Sequence, residues 1–183
     1  MHPIEGFGGF QANPPAPSTN SPLSPPVEST AAIDESTPWV AAGDGDLQLL
    51  KSSISQLGLS PNTADSNGFT FLHAACGYGR IEVIRWLLEL KDSEAIDVNA
   101  KDGDGDTPLH HCDDDESAKI LVEGGADFTV KNDEGKTALE VKEEELHEGD
   151  EEDDSDDEDR EKLKDLVAYL KSLQSGTDEV EMG

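Results

Sequence analysis

Histidine, cysteine and aspartate stand side by side at His110-His111-Cys112-Asp113, and donors of these types can hold a transition metal. The spacing argues against it. Neighbouring residues on a helix project about 100° apart, so His110 and His111 do not easily share one ion. Asp102-Gly103-Asp104-Gly105-Asp106 invites a calcium reading. A calcium loop wants glycine at its sixth position and glutamate at its twelfth, and Thr107 and Asp113 stand there instead. No glycine-rich loop ending in Lys-Ser/Thr is present to cradle a phosphate, and no order of Ser, His and Asp suggests a nucleophilic triad. Carboxylates are so frequent that no single pair stands out as general acid and base. The expectation is a protein without catalytic residues, metal or cofactor, and not an enzyme.

What remains is charge, and the scaffold that carries it. The chain has 183 residues, 42 acidic and 13 basic, for a formal net charge of −29. Such acidity argues against DNA, RNA or an anionic membrane surface as partner, because each needs basic patches. No run of about 18 apolar residues offers a membrane span. The first 50 residues lack Lys and Arg, so neither a secretory signal nor a mitochondrial presequence is expected. Two cysteines, Cys76 and Cys112, are too few to staple a small secreted fold. The expected compartment is reducing, cytoplasmic or nuclear.

Composition changes sharply along the chain. Residues 1–35 contain seven of the ten prolines and little apolar area to offset a backbone ordering cost of about 1–2 kcal/mol per residue. This stretch reads as a disordered tail, in which Ser21-Pro22 and Ser24-Pro25, with Thr37-Pro38 just beyond, have the form of proline-directed kinase sites. From Glu143 to Glu161, 14 of 19 residues are acidic. Mutual repulsion at that density predicts a solvated, disordered acidic insertion over 147–160. Ser155, followed by Asp156-Asp157-Glu158, is a candidate for an acid-directed kinase, whose phosphate would add about −1.5 to −2 charge.

The body between these segments repeats itself. Asp65-Ser66-Asn67-Gly68-Phe69-Thr70-Phe71-Leu72-His73 returns as Asp102-Gly103-Asp104-Gly105-Asp106-Thr107-Pro108-Leu109-His110, and more loosely as Asn132-Asp133-Glu134-Gly135-Lys136-Thr137-Ala138-Leu139-Glu140. Gly68, Gly105 and Gly135 are spaced by 37 and 30 residues. Asp-x-x-Gly makes a tight turn with glycine where a side chain would be strained. Threonine caps the helix that follows, and proline fits its first turn. Ala74, Ala75 and Cys76 let helices approach closely, while Ile81, Val83, Ile84, Leu87 and Leu88 line one helical face.

These units, above all Gly68-Phe69-Thr70-Phe71-Leu72-His73-Ala74-Ala75-Cys76-Gly77-Tyr78-Gly79, resemble the ankyrin repeat. The resemblance implies an all-α ankyrin-repeat solenoid: stacked helix-turn-helix units with β-turn tips. Four units are expected within 36–173, at about 36–64, 65–101, 102–131 and 132–173, followed by a tail over 174–183. The first unit, opening at Thr37-Pro38-Trp39, departs from the pattern as a terminal repeat does, and Trp39 reads as a cap on the core. In the third, Cys112-Asp113-Asp114-Asp115-Glu116 replaces the usual small residues, so its first helix is expected to be short. Leu163, Leu166, Val167, Leu170 and Leu173 form one helical stripe, read as the second helix of the fourth unit beyond the acidic insertion. The alternative is a free amphipathic helix. The resemblance also implies that His73 and His110 bond backbone near the turns. Stacked repeats lie about 10 Å apart, which predicts that Cys76 and Cys112 are too distant for a disulfide.

Carried over by position, the exposed variable places are Asn67, Phe69, Tyr78, Asp104, Asp106, Asp113, Asp114, Asp115, Glu134 and Lys136. The set is mostly acidic, with Phe69 and Tyr78 as aromatic anchors. It points to a monomeric, non-enzymatic protein-binding module whose partner is a basic protein, in the sharper form an escort for a nascent ribosomal protein or histone. The alternative is a phosphorylation-regulated signalling adaptor or scaffold.

Overall fold

The computed structural model describes residues 33–90, 95–148 and 157–178. Most of the tail expected over 1–35, the centre of the acidic insertion with Ser155, and residues 179–183 lie outside them. Seven helices follow in order: α1 (Thr37–Asp44), α2 (Leu47–Leu57), α3 (Phe71–Gly77), α4 (Ile81–Glu89), α5 (Asp115–Glu123), α6 (Ala138–Glu148) and α7 (Asp157–Asp178). Among the described residues there is no strand; the only ladder-like pairings are isolated bridges, Ala64 with Thr70 and Lys131 with Thr137.

The helices pack as hairpins, α1 with α2, α3 with α4 and α6 with α7. The third unit has only α5 as a full helix. Its first helix is a single turn over 108–111, held by the His110 amide on the Thr107 carbonyl at 2.9 Å. The cause is local: Asp113 and Asp114 interrupt the apolar run, and the Asp114 carboxylate caps α5 by accepting the Ser117 amide at 2.7 Å.

One apolar core runs through the stack. Leu50, Phe71, Leu72, Val83, Ile84, Leu87, Leu109, Leu121, Leu166 and Leu170 are all buried. Trp39 covers its first edge, with its ring 4.7 Å from that of Phe71 and its indole N–H on the Phe69 carbonyl at 2.7 Å. At the other edge α7 packs against both α5 and α6 through buried Leu166, Val167 and Leu170. Each of these apolar faces is useless alone; burial of a leucine contributes about 1.5–3 kcal/mol only once a neighbour covers it.

Two boundaries differ from expectation. Helix reaches into both flanks of the stretch 147–160 read as a disordered insertion, since α6 ends at Glu148 and α7 begins at Asp157. Carboxylates in the first turn of a helix meet the positive end of its dipole, and Lys162 pairs with Glu158 at 3.2 Å and Asp159 at 3.3 Å one turn back. The tail expected from 174 onward is likewise helical as far as Asp178. The two thiols are as expected. Cys76 and Cys112 are both free and buried, and Cys112 Sγ lies 3.5 Å from the Pro108 carbonyl.

Candidate functional site

Three turns with one geometry project from the stack. In the first, Asp65 accepts the amides of Asn67 and Phe69 on Oδ1 at 2.8 and 2.9 Å, and its own amide donates to the Phe69 carbonyl at 3.0 Å. Asp102 repeats this with Asp104 and Asp106, and Asn132 with Glu134 and Lys136. Glycine closes each turn with positive φ: Gly68 at 77°, Gly105 at 77° and Gly135 at 78°. Adjacent turns are bonded tip to tip, Gly103 to the Asn67 carbonyl at 2.6 Å and Asp133 to the Asp104 carbonyl at 3.0 Å.

A buried threonine–histidine pair fixes each of the first two turns to the helix behind it. Nδ1 of His73 accepts the Thr70 amide at 3.1 Å, and Nδ1 of His110 accepts the Thr107 amide at 3.1 Å. Acceptance at Nδ1 places the proton on Nε2. Nε2–H then donates to the next unit, from His73 to the Asp106 carbonyl and from His110 to the Lys136 carbonyl, each at 3.2 Å. Burial pulls both histidines below the ordinary imidazole pKa, against the opposing pull of those carbonyls. In the last turn Glu140 stands in the same place and accepts the Thr137 amide at 2.7 Å.

His73, Asp102 and His111 bring their donor atoms within 4.8 Å of one another. His111 Nε2 lies 2.8 Å from the Asp102 carboxylate, and Phe69 packs 5.2 Å from both imidazole rings. Burial raises the Asp102 pKa, but His111 and the Asp104 and Asp106 amides outweigh it and hold the carboxyl below the usual range. Both nitrogens of His73 are already committed, so an ion there would have to break the link between units. The trio brings two separate bonds together, His73 to the Asp106 carbonyl and His111 to the Asp102 carboxylate. Its pairing of Asp102 with His111 was not legible beforehand, because the two are nine residues apart across a turn.

The candidate binding residues do not form one patch. Asn67, Phe69 and Asp104 line a cleft of about 790 Å³ at the tips, together with Asp65, Asp102 and His111. Tyr78, Asp113, Asp114 and Asp115 line a separate groove of about 780 Å³, bounded by Ile81, Glu116, Glu145, Leu146 and the start of α7. Asp106, Glu134 and Lys136 line neither. Asp106 accepts from Asn132 at 2.8 Å, and Lys136 lies between Glu134 and Glu144, which hold its ammonium well above the ordinary lysine pKa. The aromatic pair is split as well. Phe69 is half-buried among histidines, whereas Tyr78 is 67% exposed.

Lys142 was missed. It lies one turn after Ala138 on the inward stripe of α6, where an apolar residue belongs, and that misfit was the available signal. Burial pulls its pKa down, but Glu145 at 2.9 Å and Asp113 at 3.1 Å more than offset this, so the ammonium is held above its ordinary range. It ties the third and fourth units together beneath the groove. No described helix is long and apolar enough to cross a membrane.

A family model for ankyrin repeats, in three copies, matches residues 39–132, about half the chain. An ankyrin repeat-containing protein of Schizosaccharomyces pombe is 41% identical over 104 residues, covering 56% of this chain and 48% of its own length. Protein phosphatase 1 regulatory subunit 12A of Mus musculus is 39% identical over 83 residues, 44% of this chain and 8% of that protein. NF-kappa-B inhibitor delta of Mus musculus is 34% identical over 74 residues, 40% of this chain and 22% of that protein. The chain thus spans less than half the length of these relatives.

Proposed function

This chain belongs to the ankyrin-repeat family, whose arrays mediate protein–protein interaction, and from that premise we propose that it binds a basic protein through its acidic surface. One observation carries the reading. Both clefts are walled by carboxylates: Asp65, Asp102 and Asp104 at the tips, and Asp113, Asp115, Glu116 and Glu145 at the groove. With a net charge of −29, the chain attracts a cationic partner from a distance and speeds encounter. In the sharper form it escorts a newly made ribosomal protein or histone, shielding positive charge until that protein reaches its assembly. The setting is cytoplasmic or nuclear, where buried free thiols such as Cys76 and Cys112 persist.

Purified core histones and small ribosomal proteins, mixed with the full chain over a salt series, test this. Binding that weakens steeply with salt and keeps the basic protein soluble is the expected result. Absence of binding, or binding indifferent to salt, rejects it.

A second reading is a phosphorylation-regulated adaptor. It is favoured by Ser155-Asp156-Asp157-Glu158 and by two relatives that are, respectively, a phosphatase regulatory subunit and an NF-kappa-B inhibitor. Partner recovery that is the same for Ser155→Ala and kinase-treated wild type excludes it.

A further inference from the structure

The groove beside Tyr78 exists because the last unit overshoots the others. Helix α3 has 7 residues and α6 has 11, so α6 runs on by about 6 Å at 1.5 Å per residue. Helix α7, with 22 residues against 9 in α4, overshoots in the same way. Their ends wall a space whose other side is the short α3–α4 loop. The floor is apolar, from Ile81, Leu146 and Leu163.

Tyr78 is one of two large hydrophobic residues that are exposed among the described residues. It is backed on one side by α1. Its ring rests on Gly43 of α1, so closely that a Cβ there would lie 3.0 Å from the ring. Gly79 beside it admits the Asp114 carboxylate, which a Cβ would meet at 2.9 Å. An exposed aromatic ring backed on one side by Gly43 has area left to offer a contact.

The charge says which contact. Six carboxylates line the groove against two cations, Arg160 and Lys162. Counting also Lys119 and Lys142, which pair with Asp115 and with Asp113 and Glu145, carboxylates still exceed cations by six to four. We propose that this groove docks a short basic segment of the partner, with one arginine or lysine laid on the Tyr78 ring toward Glu116 and a neighbouring apolar side chain on Ile81, Leu146 and Leu163. A cation over a tyrosine face, backed by carboxylates and an apolar floor, uses all three features at once. The inference rests on the acidic-surface reading and narrows it to one of the two clefts.

The test uses the full chain and a fluorescein-labelled peptide alternating arginine with leucine, with a glutamate–leucine peptide as control. Fluorescence anisotropy gives affinity, and amide chemical-shift changes give location. Expected are salt-sensitive binding of the basic peptide alone, shifts at Tyr78, Ile81, Leu146 and Leu163, and a loss of about tenfold for Tyr78→Ala. Tyr78→Phe keeps most of the affinity, Glu116→Lys weakens it severalfold without touching the floor, and Glu89→Lys, an equal change of charge at an exposed place outside both clefts, stays within about twofold. Shifts confined to Asn67, Phe69 and Asp104, with Tyr78→Ala and Glu116→Lys unaffected, overturn the groove and leave the acidic-surface reading standing. No salt-sensitive binding of the basic peptide anywhere overturns both.

Discussion

Nε2 of His73 in the second unit donates to the backbone carbonyl of Asp106 in the third, 3.2 Å away. The same ring accepts the Thr70 amide on Nδ1, so a single imidazole caps one helix and ties it to the next turn. His73→Ala removes both bonds and leaves buried polar groups unpaired, which costs about 1–3 kcal/mol. Urea unfolding of the variant measures it. Glu140→Ala, which loses a cap but no link to a following unit, is expected to destabilise less. Equal losses for the two would show that the inter-unit bond contributes nothing.

The depressed pKa values of His73 and His110 set a pH dependence. Both are neutral in the fold, and the unfolded chain binds protons more readily. Their contribution is fully present above the unfolded value of about 6.5 and declines as pH falls from there through the folded values. Stability measured by urea midpoint is expected to drop as pH falls below about 6.5. The double variant His73→Gln/His110→Gln should lose this slope; retention of the full slope would assign it to other groups.

Gly105 sits at φ 77°, and a Cβ there would lie 2.7 Å from the Asp133 amide nitrogen. Gly105→Ala therefore combines left-handed strain with a backbone collision and is expected to cost about 1–3 kcal/mol. Gly135 has the same backbone angle, 78°, but nothing within 4 Å of a Cβ. Gly135→Ala is expected to cost about 1 kcal/mol, from strain alone. The difference in thermal midpoints reads out the close stacking of the tips.

Leu166 is fully buried between α7 and the rest of the stack. Leu166→Ala is expected to cost about 2–5 kcal/mol. Amides of residues 163–173 should exchange slowly with solvent in the free protein. Fast exchange there, with little loss of stability in the variant, would show that α7 is not part of the packed unit in solution.

The local features were legible because they depend on neighbours in the chain. An Asp or Asn two to four residues before the amides it accepts, glycine at a left-handed position, threonine before a helix and apolar residues at 3, 4 and 7 are short-range patterns. Hence the turns at Gly68, Gly105 and Gly135, the caps at Thr70 and Thr107 and the stripe of α7 could be read directly. Less legible was the start of α7, where acidic residues looked like a repelled loop although the helix dipole and Lys162 one turn on favour helix.

Sequence by itself determined the repeating unit, its all-helical class and the excess of carboxylate. Only the tertiary structure decided which carboxylates meet which cations, that Lys142 is buried beneath Asp113 and Glu145, and that Phe69 and Tyr78 face different clefts. The reason is range. Turns and caps are settled over a few residues, whereas a groove is bounded by parts of several units whose lengths differ, and its shape appears only when they are packed side by side.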